Sequence, residues 1–151
     1  MHIALESPDQ PDVIELIAEL DAYQRSLYPP ESTHLLDLAS LTQANVLFVV
    51  ARDAERRAVG CGAVVLQPDY GELKRMYVHP RGRSQGVAKA MLAMLESKAA
   101  ATGCCLLKLE TGPLQPEALG LYARSGFERR GPFGGYWDDP LSVFMQKRIA
   151  T

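Results

Sequence analysis

The stretch from Glu72 to Leu109 constrains the fold more than any other part of the chain. It reads as a strand over Glu72–Val78, a basic loop, and a helix from Ser84 to about Ala101. A compact apolar strand follows at Cys104–Leu109. Val87, Met91, Met94 and Leu95 recur at helical spacing, and Gly103 stands where a glycine commonly ends a helix. Strand, helix and strand in this order require two parallel strands joined by a right-handed crossover. Just upstream, Asn45–Ala51 and Ala58–Leu66 are separated only by the polar Arg52–Arg57 connection, so they pair as an antiparallel hairpin. The sheet is therefore mixed.

Around this unit the chain starts with a short strand, His2–Glu6. A helix over Pro11–Leu27 follows, with Val13, Ile14, Ile17, Leu20 and Tyr23 predicted on its inner face. Tyr28-Pro29-Pro30 stops that helix, and Glu31-Ser32-Thr33 offers caps for a second one at about His34–Leu41. After Leu109 come a helix at Gln115–Ser125, a weaker strand near Phe127–Arg130 and a last strand at Leu141–Lys147. The order β-α-α-β-β-β-α-β-α-β-β contains no repeat and no linker. One α/β domain is expected over residues 1–151.

With 47% hydrophobic and 23% charged residues, the composition supports a packed core. A net charge of −2 advertises no nucleic-acid partner. No apolar run reaches the roughly 18 residues of a membrane span, and the N-terminus lacks a signal-peptide layout. A cytoplasmic protein is the expectation, with Cys61, Cys104 and Cys105 as free thiols. The histidines and cysteines show no metal-ligand spacing, and no metal is expected.

The loop between the Glu72 strand and its helix reads His79-Pro80-Arg81-Gly82-Arg83-Ser84-Gln85-Gly86-Val87-Ala88. A helix start carries unpaired N–H groups and the positive end of the dipole; Gly86 permits close approach, and Arg81 and Arg83 add cationic donors. A phosphate group fits there, although an ordinary solvated helix start would use the same residues. The G-x-x-x-x-G-K-[ST] loop and a complete G-x-G-x-x-G are both absent. Gly82-Arg83-Ser84-Gln85-Gly86 does match a G-x-S-x-G nucleophile elbow. Yet His2, His34 and His79 all precede Ser84, so that fold's Ser-to-His order cannot be assembled.

The hexapeptide Arg83-Ser84-Gln85-Gly86-Val87-Ala88 resembles the [QR]-x-x-G-x-[GA] motif of the GNAT N-acetyltransferases. Leu121-Tyr122-Ala123-Arg124-Ser125-Gly126-Phe127 is similar to that superfamily's L-Y-x-x-x-G-F block. Pro132-Phe133-Gly134 through Asp139-Pro140-Leu141-Ser142-Val143-Phe144 resembles a bacterial small-molecule subgroup. The resemblance implies a mostly antiparallel sheet in which one parallel pair splays apart to admit acetyl-CoA. The donor's pyrophosphate would bind amides of Arg83, Ser84, Gln85, Gly86, Val87 and Ala88. Its pantetheine arm would pair near Met76 and Val78, and the Met76 amide would face the thioester carbonyl.

The same resemblance gives Tyr122 the role of acid to the leaving thiolate and Glu72 that of general base, with Glu110 in reserve. A phenol with a pKa near 10 suits protonation of a thiolate, whereas an ordinary carboxylate is a weak base. On residue pattern alone, core packing is favoured for Tyr122, which shares a helical face with Leu119, and only the L-Y-x-x-x-G-F context reverses that preference; Glu72 could equally be a solvent-facing strand edge. Strict strand alternation would set Glu72, Met76 and Val78 on one face, barring a bulge. Cys61, in an apolar strand between glycines, reads as a buried thiol, so direct transfer without an acyl-enzyme is expected.

The acceptor is expected to be a small-molecule amine, an amino-acid-like one being a candidate. Tyr28, Glu31 and Arg75 are the candidate substrate contacts, with capping and solvated faces as the alternative roles. Phe133, Tyr136 and Trp137 suit an aromatic wall or a dimer contact equally. A homodimer, a non-catalytic acyl-CoA-binding or sensing module, and a protein or peptide N-acetyltransferase remain open at this point.

Overall fold

The computed structural model describes residues 1–32 and 37–149. Its elements are β1 (His2–Leu5), α1 (Pro11–Leu27), α2 (Leu38–Leu41), β2 (Val46–Arg52), β3 (Ala58–Leu66), β4 (Gly71–Val78), α3 (Val87–Ala101), β5 (Leu106–Thr111), α4 (Pro116–Arg124), β6 (Glu128–Arg130) and β7 (Val143–Arg148). The seven strands form one sheet in the order β1-β2-β3-β4-β5-β7-β6. Every neighbouring pair is antiparallel except β4 and β5, the two strands of the predicted crossover unit.

Helices cover the two faces. On one, Val87, Met91, Leu92, Leu95 and Ala99 of α3 pack on Val49, Val64, Leu73, Leu107 and Leu109, with Tyr122 of α4 and Phe127 completing the cluster. On the other, Val13, Leu16 and Ile17 of α1 pack on Phe48, Val50, Cys61 and Ala63. The buried stripe of α1 is thus Val13, Leu16, Ile17 and Leu20; Ile14 and Tyr23, expected inside, lie exposed at its margins. Arg52 ties this corner together, reaching Glu6 at 2.9 Å and Asp12 at 2.7 Å while its guanidinium is almost wholly buried. Its charge holds both carboxyls below their ordinary range.

Several boundaries differ from the sequence expectation, three of them next to the large loops and the crossover unit. The expected caps Glu31 and Ser32 belong to a 3-10 turn at Pro30–Ser32. Helix α2 is capped instead by Asp37, whose side chain accepts from the Ser40 amide at 2.9 Å. Residues 33–36 of the predicted second helix, Thr33 and His34 among them, lie outside the described residues. Helix α3 starts at Val87 rather than Ser84, because Ser84 (φ 65°) and Gly86 (φ 70°) are left-handed and hold the preceding loop open. Strand β5 starts at Leu106 and continues to Thr111, two residues beyond the expected end.

Strand β4 carries the largest departure. Arg75 has φ 60°, and the β3–β4 register shifts between Cys61 and Ala63. This is a bulge, which inserts one residue and reverses the alternation beyond it. Before it, Leu73 faces α3, so Glu72 and Lys74 face α1. After it, Met76 and Val78 pack on the α3 side and Tyr77 on the α1 side. Glu72 therefore does not share a face with Met76 and Val78.

Candidate active site

Strands β4 and β5 pair over three positions only, Gly71 with Leu107, Glu72 with Lys108 and Leu73 with Leu109. Past Leu73 the β5-facing edge of β4 has no strand partner among the described residues. Two cavities meet in the resulting gap. A cleft of about 830 Å3 opens on the α3–α4 side, and a smaller pocket of about 90 Å3 lies toward α1. Leu20, Met76, Gln115, Ala118 and Tyr122 line both. The gap is a passage through the sheet.

The large cleft runs from this passage to the start of α3. Its far end is built from main chain. Among the described residues, the amides of Ser84, Gln85, Gly86, Val87, Ala88 and Lys89 have no acceptor within the protein. Side chains brace the loop from outside: Arg83 Nε donates to the Val78 carbonyl at 3.2 Å, and Gln85 Nε2 to the Arg81 carbonyl at 3.2 Å. A Cβ built on Gly86 meets no atom within 4 Å, so the space beside it is open. Unpaired amides at a helix start, next to open space, suit a bound phosphate group. Arg83, Lys89 and Arg124 add positive charge to the lining.

Tyr122 stands at the junction. Its ring packs edge-on against Phe127 with centroids 5.7 Å apart, and the residue also lines both cavities, so it belongs to the core and to the wall of the passage. Burial raises its phenol well above the ordinary value, which keeps the hydroxyl protonated at neutral pH. The group is thus a hydrogen-bond donor to whatever atom lies in the passage. Cys61 is fully buried, its thiol pushed up to about 12, and Sγ contacts the Arg75 carbonyl at 3.3 Å. It is inert as a nucleophile.

The smaller pocket is built from side chains. Glu72 accepts from the Tyr136 hydroxyl at 2.5 Å and pairs with Lys74 at 3.4 Å, and Lys74 also donates to Tyr136 at 2.9 Å. Tyr136 comes from the loop between β6 and β7. Phe133, Phe144 and Tyr70 form edge-on ring contacts with one another or with Tyr136 and hold that loop against the sheet. Phe133 and Tyr136 thus pack in a ring cluster next to Glu72 and Lys74 without lining the pocket itself, whereas Trp137 is 53% exposed. Glu110, on β5, accepts from the Ser142 hydroxyl at 2.8 Å. Burial pushes its carboxyl up to about 7, against the lowering influence of Ser142 and Lys74.

Of the expected substrate contacts, Tyr28 and Arg75 line this pocket and Glu31 is exposed outside it. Tyr28 is anchored by Gln115 and by the Leu114 amide, both at 3.2 Å, and sits over Gly112, where a Cβ would fall 1.7 Å from its hydroxyl. Arg75 pairs with Asp21 of α1 at 2.6 Å, and its other nitrogens Nε and Nη1 are buried without a hydrogen-bond partner among the described residues. Ser32 donates to the buried Asp139 at 2.5 Å, fastening the turn after α1 to the C-terminal loop.

Sequence reasoning missed Lys74, Ser142 and Asp139 and named Tyr136 only for an aromatic wall or a dimer contact; Tyr136, Ser142 and Asp139 meet partners remote in the chain. One signal for the bulge was present: Leu73 and Met76 are three apart in a strand, a spacing strict alternation does not give. Among the described residues, no group of three or more His, Cys, Asp and Glu side chains converges on a metal position. No described helix is long and apolar enough to cross a membrane.

Residues 13–127 match the Acetyltransferase (GNAT) family. The IAA acetyltransferase of Azospirillum brasilense is 48% identical, with 97% of each chain covered. The uncharacterized N-acetyltransferase YsnE of Bacillus subtilis (strain 168) is 35% identical over 99% of this chain and 100% of that one. A crystal structure from Klebsiella pneumoniae, described as a candidate acyl-CoA N-acyltransferase, superposes with a TM-score of 0.83 at 39% identity, covering 98% and 97% of the two chains. An aminoglycoside 6'-N-acetyltransferase complexed with coenzyme A shares the fold, with a TM-score of 0.77 at 18% identity over 100% and 98%. The splayed strands, the open amide loop and the match across most of the chain agree, and the chain belongs to the GNAT family of N-acetyltransferases.

Proposed function

We propose that residues 1–151 act as one domain that transfers the acetyl group of acetyl-CoA directly to the amine of a small, amino-acid-like molecule. The observation that carries this reading is the junction at Met76, Ala118 and Tyr122, where a long cleft ending in unpaired amides meets a small polar pocket. A donor enters from the α3–α4 side and an acceptor from the α1 side. The size of the acceptor pocket, about 90 Å3, favours a small molecule over a peptide.

In this reading the Ser84–Ala88 amides hold the pyrophosphate and the unpaired edge of β4 receives the pantetheine arm. The Met76 amide donates to the thioester carbonyl as negative charge develops, a contribution of about 3–4 kcal/mol for one such donor. Tyr122 donates to the departing sulfur. Because its phenol is harder to ionise than usual, its proton moves only as sulfur gains charge and is replaced from the attacking nitrogen. A carboxylate of the small pocket accepts the first proton of the ammonium.

Support for an anionic group on the acceptor comes from the bulge, which turns Lys74 and Arg75 both toward α1 and leaves two Arg75 nitrogens without an acceptor among the described residues. Two carboxylates and two cations in one pocket match a zwitterion. Thiol release from acetyl-CoA, measured with amino acids and the corresponding decarboxylated amines, tests this directly. The amino acid of each pair is expected to give the higher kcat/KM. Equal use of both, or release with peptides only, contradicts the reading.

A further inference from the structure

Two carboxylates face the acceptor pocket, and their surroundings differ. The Glu72 carboxylate is held by two donors on one oxygen: Oε2 accepts from Tyr136, on the C-terminal loop, and from Lys74. Among the described residues Glu110 has a single hydrogen-bond partner, the Ser142 hydroxyl on Oε2. It is the first β5 residue past the last paired position, Leu109, so it stands at the mouth of the splay. Leu109 packs toward α3, which turns Glu110 to the α1 side with Glu72 and Phe144.

We infer that Glu110 is the proton acceptor for the incoming ammonium, and that Glu72, clamped by Tyr136 and Lys74, is a positioning residue that fixes the C-terminal loop and tunes Glu110 through its charge. This inference rests on the acetyl-transfer reading and names which carboxylate serves it. One proton passes from the ammonium to Glu110, freeing the nitrogen lone pair. The C–N bond forms and the C–S bond breaks, with its electron pair leaving on sulfur. Sulfur takes the Tyr122 proton, Tyr122 regains one from the nitrogen as it becomes an amide, and Glu110 releases its proton to solvent. The products are the acetylated amine, the thiol and one proton.

Charge and geometry agree on this division. Lys74 and the Ser142 hydroxyl favour ionised Glu110, while Glu72, Asp139 and burial oppose it. Tyr28, at the end of α1, and Tyr136 both sense the Glu110 charge and complete the ionisable surroundings. The result is a carboxylic acid that titrates near pH 7 and can both take and release a proton under ordinary conditions.

The test is the pH dependence of kcat/KM with an accepted amine, for the wild type and for Glu110→Gln, Glu72→Gln and Ser142→Ala. Wild-type activity is expected to rise with pH and break near 7. Glu110→Gln should lower activity at pH 7 by about 10²-fold and remove the break, leaving a rise that continues toward the amine's own pKa. Glu72→Gln removes a neighbouring negative charge and should move the break down. Ser142→Ala removes a donor to the carboxylate and should move it up. Glu110→Gln retaining the break overturns the inference, as does a break that stays fixed in both Glu72→Gln and Ser142→Ala; those two variants decide the matter if Glu110→Gln fails to fold. An enzyme that accepts no amine at all would refute the acetyl-transfer reading instead.

Discussion

The two sides of the β4–β5 gap are made of different material. In the proposed reading the donor side is a continuous run, Ser84–Lys89, whose working groups are main-chain amides held open by left-handed Ser84 and Gly86, while the Arg83 amide is already bonded to the Pro80 carbonyl. The proposed acceptor side is assembled from α1, β4, β5 and the C-terminal loop, and the groups that line it are side chains such as Glu72, Lys74, Arg75 and Glu110. An amide site recognises a phosphate whatever the neighbouring side chains are, so one loop serves one constant donor. A side-chain site changes with each substitution and suits a variable acceptor. Changes on one side should therefore leave the other side intact, and that separation can be broken experimentally.

The largest effect is expected from Gly86→Trp. The indole would project into the open space beside a residue already at φ 70°, and coenzyme A affinity should fall at least about 100-fold by calorimetric titration. The overall fold, followed by circular dichroism, should survive. Next is Tyr122→Phe, which removes the donor at the junction while keeping the ring on Phe127. Turnover should drop by about 10²-fold with donor binding nearly unchanged; full activity would remove Tyr122 from the chemistry.

A smaller and pH-dependent effect belongs to Glu110. Its folded pKa, about 7, lies above its ordinary 4.5, so ionisation opposes folding. The resulting destabilisation is absent below about pH 4.5, grows between 4.5 and 7, and is complete above 7. Glu110→Gln should therefore gain stability over wild type at pH 8 relative to pH 5, on the order of 2–3 kcal/mol in urea unfolding. The smallest effect is expected from Gly112→Ala, whose methyl displaces Tyr28. A loss of about 1–2 kcal/mol and a higher KM for the acceptor, with coenzyme A binding unchanged, would sharpen the separation of the two sides.

The same contrast explains what the sequence revealed. The crossover unit, the hairpin before it and the donor loop are local: each is set by spacing, turn residues and a short motif. The acceptor side depends on pairings such as Glu72 with Tyr136 and Glu110 with Ser142, which join residues 64 and 32 positions apart. No periodicity carries that information. The Arg75 bulge lies between these extremes. A non-glycine residue at φ 60° is a product of sheet packing, although the Leu73–Met76 spacing marks its place. Assuming plain alternation puts Glu72 on the donor face; the bulge returns it to the acceptor pocket.

The most direct measurement is a nitrogen–proton correlation spectrum of the labelled protein titrated with coenzyme A. If unpaired amides at the start of α3 grip the diphosphate, the resonances of Ser84, Gln85, Gly86, Val87 and Ala88 should move furthest, with Met76 following as the arm fills the gap. Saturation of binding with those amides unmoved, and the shifts gathered elsewhere, would contradict it.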